Sequence, residues 1–97
     1  MYNIEFASEA LEDLKSFRRF EQQKIISGID DQLQYEPTKE TRNRFRMRPN
    51  EIAAWELRIE QYRVFYDVEE TVQIVRIEVI GFKSGNQLFV RGKRRSL

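Results

Sequence analysis

Between Trp55 and Val68 two runs of alternating residues stand back to back. Trp55, Leu57 and Ile59 alternate with Glu56, Arg58 and Glu60, and after Gln61 the alternation resumes with Tyr62, Val64, Tyr66 and Val68. A period of two is the pattern of a strand with one buried face. A hairpin turning at Glu60–Gln61 sets Ile59 against Tyr62, Leu57 against Val64 and Trp55 against Tyr66, all on one side of a sheet. The same register sets Arg58 against Arg63 on the other side, a like-charge pair that is destabilising by itself. Either Glu56 and Glu60 neutralise it, or the pair awaits an anionic ligand.

The chain before the hairpin reads as a strand and two helices. Tyr2, Ile4 and Phe6 alternate with polar residues, predicting a first strand. Ser8 suits an N-cap, with Glu9, Glu12 and Asp13 in the turn that follows. Ala10, Leu14 and Phe17, with Leu11 beside them, give the stripe of a helix ending near Arg19. A second helix is predicted from Glu21 to Tyr35, burying Ile25, Ile26, Ile29 and Leu33 and closed by Pro37. Arg42 to Arg48 then reads as a strand with Arg42, Arg44, Arg46 and Arg48 on one face. Such a row either protects a sheet edge from pairing or tracks phosphates, whose oxygens match guanidinium forks.

After the hairpin, Glu69–Thr71 turns the chain and Val72–Ile80 forms an apolar strand that Gly81 ends. The remainder reads as a loop, a short apolar turn at Leu88–Val90 and a basic terminus containing Arg91. This order predicts an α+β fold in one domain, residues 1–97. A largely antiparallel sheet of three to four strands carries the helical pair on one face, and the arginine-bearing face is left open.

Composition limits the chemistry. The chain has no Cys and no His, which excludes disulfides, thiol catalysis, Cys-based zinc sites and the usual neutral-pH proton carrier. No apolar run suggests a signal segment or a membrane span, so a soluble cytoplasmic protein is expected. Residues 1–41 hold five basic and nine acidic side chains, whereas residues 42–97 hold twelve and seven. Such an asymmetry is either the ordinary variation of a charged surface or a basic face made by the second half and suited to phosphate.

The element order, the Tyr-x-Ile-x-Phe first strand, Pro37 and the segment Leu57-Arg58-x-x-x-Tyr62-Arg63-Val64-x-Tyr66 resemble the RelE/ParE toxins of type II toxin–antitoxin systems. The likeness spans essentially the whole chain and is closer to the RelE branch. It implies ribosome-associated, metal-independent mRNA cleavage by 2′-hydroxyl attack, no cofactor, and neutralisation by a cognate antitoxin. The implied partners are the antitoxin, the ribosome and mRNA, and operator DNA through the antitoxin. Carried over by position, Arg63 contacts the scissile phosphate, Lys83 is a second phosphate contact and Phe89 stacks on the substrate. Glu56 is the implied base, by analogy with relatives that use a carboxylate, or else neutralises Arg63. Arg44, Arg46, Arg48, Arg58 and Arg91 complete an RNA-binding face. The chain departs from the RelE pattern at Ala54 and Glu56, where that branch has two lysines, and at Phe89, where it has a tyrosine. Two alternatives need no catalysis: a ParE-like inhibitor of DNA gyrase, and an antitoxin-bound co-repressor.

Overall fold

Every predicted pair of the hairpin is present in the computed structural model, which describes residues 1–96. Trp55, Leu57, Arg58 and Ile59 face Tyr66, Val64, Arg63 and Tyr62. The chain runs β1 (Asn3–Phe6), α1 (Ser8–Lys15), α2 (Arg19–Leu33), β2 (Arg44–Arg46), β3 (Trp55–Ile59), β4 (Tyr62–Glu69), β5 (Ile74–Ser84), β6 (Gln87–Val90) and β7 (Lys93–Arg95). Strands β2 to β7 pair in chain order, all antiparallel, and β1 joins β5 in parallel. The α+β architecture is the expected one, but among the described residues the sheet has seven strands rather than three to four.

One face of the sheet carries the main core. Ala10 and Leu14 of α1 and Ile25, Ile29 and Leu33 of α2 pack on Leu57, Val64, Tyr66 and Ile77. The leucine, isoleucine and valine side chains among these each contribute about 1.5–3 kcal/mol when fully buried. Tyrosines tie the helices to the sheet: the Tyr62 hydroxyl donates to Glu21 at 2.7 Å, and the Tyr66 hydroxyl donates to the Pro37 carbonyl at 2.7 Å. The bond from Tyr62 is the main reason the Glu21 carboxyl lies below its usual range. Burial and the Glu21 carboxylate push the Tyr62 hydroxyl up to about 12.

Several boundaries differ from the sequence reading. Ala7, not Ser8, is the N-cap of α1, and no side chain caps it. Helix α1 stops at Lys15, four residues early, because Ser16 turns back to the Asp13 carbonyl through both its N–H and its hydroxyl. Helix α2 consequently starts at Arg19 and ends at Leu33, and Ile26 is exposed rather than buried. The arginine strand is only three residues long. Gly81 does not end a strand: β5 passes through it to Ser84. The tail pairs as β6 and β7 instead of forming a loop. Leu97, included in the predicted domain, lies outside the described residues.

Two local features of β5 shape the sheet. Pairing with β4 passes from Phe65–Val79 to Tyr66–Ile77, so Glu78 is an extra residue and the strand bulges there. Further on, a Cβ on Gly81 would lie 2.5 Å from the Phe89 carbonyl oxygen, closer than any real contact. Because that neighbour is backbone, it cannot rotate away. Gly81→Ala is therefore expected to lower the unfolding free energy by about 1–3 kcal/mol, measured by urea denaturation; a change within about 0.5 kcal/mol would show that β6 shifts freely.

Candidate anion-binding site on the outer sheet face

Opposite the helices, β2 to β5 present two cross-strand rows. One row is Phe45, Glu56, Phe65 and Val79; the next is Arg58, Arg63 and Gly81. Glu56 lies between the two arginines and its Oε2 is 3.5 Å from Arg58 Nε and 3.4 Å from Arg63 Nε. The like-charge pair is therefore closed by an internal carboxylate. The three side chains differ in access: Glu56 is 8% exposed, Arg63 13% and Arg58 46%.

Arg63 is fixed from its other end as well. Its Nη1 donates to the carbonyls of Glu60 at 2.7 Å and Tyr62 at 2.9 Å. The first bond supports Glu60 at φ 54, a left-handed conformation uncommon for a residue with a side chain. Lys24 holds the Glu60 carboxylate at 3.2 Å. Burial, followed by the Arg58 charge, pulls the Arg63 guanidinium below its ordinary value, and Glu56 opposes that shift. Arg63 Nε and Glu56 Oε2 are both buried without a hydrogen bond. Their ion pair thus leaves polar capacity unused, which is unusual for buried groups. Arg58 is steadied from below by the Phe45 ring, with Cζ 4.6 Å from the ring centroid.

Lys83 reaches the same face. It pairs with Leu88 on β6 and lies two residues beyond Gly81, which opposes Arg63. With no side chain on Gly81, Leu88 and Val90 close over it and join Phe65, Val79 and Ala53 in a second apolar cluster. The outer face is thus partly a small core, not an open basic surface.

The other predicted contacts are elsewhere. Arg44 pairs with Leu57 and so belongs to the helix side, where it is buried. It donates to the Gln32 carbonyl and, at 3.1 Å, to the Lys39 carbonyl, anchoring the loop after α2. Arg46 is on that side too, over the Trp55 ring at 5.8 Å. Arg48 is exposed in the loop beyond β2. The predicted row fails because Arg44 and Arg46 share the parity of Trp55 and Leu57, not that of Arg58. Phe89 pairs with Phe82 and stacks on it at 5.4 Å. Phe82 in turn meets Phe17 of the α1–α2 turn, so this stack faces the helices. Arg91 turns to α1 and contacts Asp13 at 3.0 Å.

Sequence reasoning missed Phe45 as a platform and Asp13 as a buried charge. The signal for Asp13 was present: it falls on the Ala10–Leu14–Phe17 stripe, three residues after Ala10. Ala54, at the first of the two expected lysine positions, gives its N–H to Asp67 at 2.8 Å. Chemically, the site is a pair of guanidiniums holding one carboxylate oxygen between them. The Tyr62 and Tyr66 hydroxyls are on the helix side, on Glu21 and the Pro37 carbonyl, while Lys83 is placed by register on the same sheet face as the arginines. Among the described residues no group of three or more acidic side chains is placed to hold a metal ion. No helix of the described residues is long and apolar enough to cross a membrane.

The sequence model of the ParE toxin of the type II toxin–antitoxin system parDE matches residues 4–78. The chain belongs to this family and, with it, to the RelE/ParE toxins. Among solved structures, the fold is shared with a chain of the RelBE2 toxin–antitoxin complex of Mycobacterium tuberculosis. That match has a TM-score of 0.73 and 20% identity, over 84% of this chain and 98% of the other. An archaeal RelE–RelB complex from Pyrococcus horikoshii OT3 matches with a TM-score of 0.64 and 20% identity, over 95% and 97%. No curated protein matches the chain.

If Glu56 is the internal anion, its removal should create an anion site. Glu56→Gln is expected to cost about 3 kcal/mol in urea denaturation, since it leaves Arg63 unpaired in a buried position. Added phosphate should then raise the melting temperature of the variant more than that of the parent. Equal shifts in both proteins would rule out an exchangeable carboxylate.

Proposed function

We propose that the chain is a toxin neutralised by a cognate antitoxin, and that it acts by binding its target rather than by cutting RNA. Within the ParE family resemblance, that target is DNA gyrase. The observation that carries this reading is Glu56 seated between Arg58 and Arg63. A nuclease needs those guanidiniums free for the charge that develops on phosphorane oxygens. It also needs a general acid and base, each contributing about 100- to 10,000-fold. Here the carboxylate available as base is occupied by the arginines, and the ring expected to stack on RNA faces the helices.

The antitoxin is supported by the family and by the relatives, both of which are toxin–antitoxin complexes. RelE-like mRNA cleavage stands as the second reading, favoured by Arg63 and Lys83 sharing one face. It requires an RNA phosphate to displace Glu56, which would then be freed as a base.

Inducible expression without the antitoxin separates these readings. Binding predicts growth arrest, trapped gyrase–DNA adducts and unchanged mRNA ends by primer extension. New mRNA ends that fall about 100-fold or more in Arg63→Ala, with no adducts, would establish the nuclease instead. Absence of growth arrest would favour a co-repressor acting on operator DNA through the antitoxin.

A further inference from the structure

Asp13 is the least expected buried group in the molecule. Its side chain is 1% exposed although it carries a formal charge. One oxygen, Oδ2, accepts the Ile80 N–H at 2.9 Å, two residues beyond the extra residue of the β5 bulge. The other, Oδ1, has no hydrogen bond and lies 3.0 Å from Arg91 Nε. Arg91 itself has φ 50 and is followed by Gly92 at φ 78 in the two-residue turn joining β6 to β7. Two positive φ values in succession call for Gly, Asn or Asp, so a long cation is a poor choice for the turn alone. A residue kept in a disfavoured conformation points to a demand made elsewhere. Here that demand is the Asp13 carboxylate.

We propose that Asp13 and Arg91 form a clasp that holds the β6–β7 hairpin against α1 and opens on acidification. The hairpin has few other ties. Beyond its pairing with β5, Leu88 and Val90 pack in the smaller outer cluster and Phe89 stacks on Phe82. Among the described residues, strand β7 lies at the end of the strand order with all three of its residues exposed. Release of the clasp moves Leu88 and Val90 from the wall beside Gly81 and Arg63, and uncovers the Phe82 ring. The hairpin thereby controls access to the outer site, whichever target that site serves.

The direction with pH follows from the groups around Asp13. Glu9 lies on its own helix, Arg91 in the hairpin turn and Arg95 on β7. Burial pushes the Asp13 carboxyl above its usual range; the Ile80 N–H, Arg91 and Arg95 oppose this, and Glu9 adds to it. A raised folded value means that the stability contributed by this group is present at low pH and is lost as pH rises through that value. Opening of the clasp is a separate equilibrium. It takes away Arg91 and Arg95, which lower the Asp13 carboxyl, while Asp13 keeps its burial and the Ile80 N–H. The open form therefore holds the proton more tightly, and acidification favours it. The clasp opens above the ordinary carboxylate range, and opening is separable from global unfolding.

Amide hydrogen exchange tests this, read as protection factors so that the intrinsic pH dependence cancels. Asp13→Asn keeps an oxygen for the Ile80 N–H but removes the charge, and R91Q removes the partner. R91G removes it while favouring the positive-φ turn. At neutral pH all three should lower protection in residues 87–95 by about tenfold or more, with β3 and β4 unchanged. The parent should show the same loss as pH falls, and Asp13→Asn should not. Unchanged hairpin protection in R91Q and R91G would overturn the proposal. So would an even loss across the whole sheet, or a pH trend that persists in Asp13→Asn.

Discussion

The register of the β3–β4 hairpin governs both faces of this protein. Side chains alternate along a strand, so a slip of one residue would send Trp55, Leu57, Val64 and Tyr66 away from the helices. Holding that register also commits Arg58 to lie against Arg63 on the reverse side. The fold cannot have the first arrangement without the second. It manages the clash with a carboxylate one row away, Glu56, whose oxygen meets both guanidiniums. A structural requirement of the core thus creates an anion site, and the same strand supplies its occupant.

Seen this way, the surplus of positive charge in the second half of the chain is not a uniform surface. Arg44 anchors the loop after α2, Arg46 covers Trp55, Arg58 lies on Phe45, and Arg91 reaches a buried aspartate. Arg63 is bound to two carbonyls and a carboxylate. These tasks use geometry that only guanidinium provides: a planar group that stacks and a fork that donates in several directions. Low exposure of Arg63 and Glu56 fits two groups that hold one another.

What was legible in the sequence was what periodicity controls. The hairpin, its register, the two helices and the α+β class all follow from the spacing of apolar residues. The opposed arginines were legible for the same reason. The arginine row was misplaced because alternation fixes which residues share a face, but not which face meets the helices. Arg44 and Arg46 were assigned to the open side from their charge, whereas the partners across β3 put them with Leu57 and Trp55. The tail reads as a loop because β6 and β7 are short and all three residues of β7 are basic. Their pairing depends on the turns at Gly85 and at Arg91–Gly92. Gly81 has the look of a terminator in the sequence, whereas in the fold it lets β6 approach β5. Strength of the Glu56 contact, as opposed to its existence, was beyond reach, since it depends on a burial that no local pattern reports.

An internal ion pair between Glu56 and Arg63 requires that the two be energetically coupled. A double-mutant cycle with Glu56→Gln, Arg63→Gln and the double variant, followed by urea unfolding, measures that coupling directly. We expect a coupling energy of about 1–3 kcal/mol, with the double variant more stable than the sum of the single losses predicts. Strict additivity, within about 0.3 kcal/mol, would mean that the two groups do not hold one another and that the site is open to an external anion.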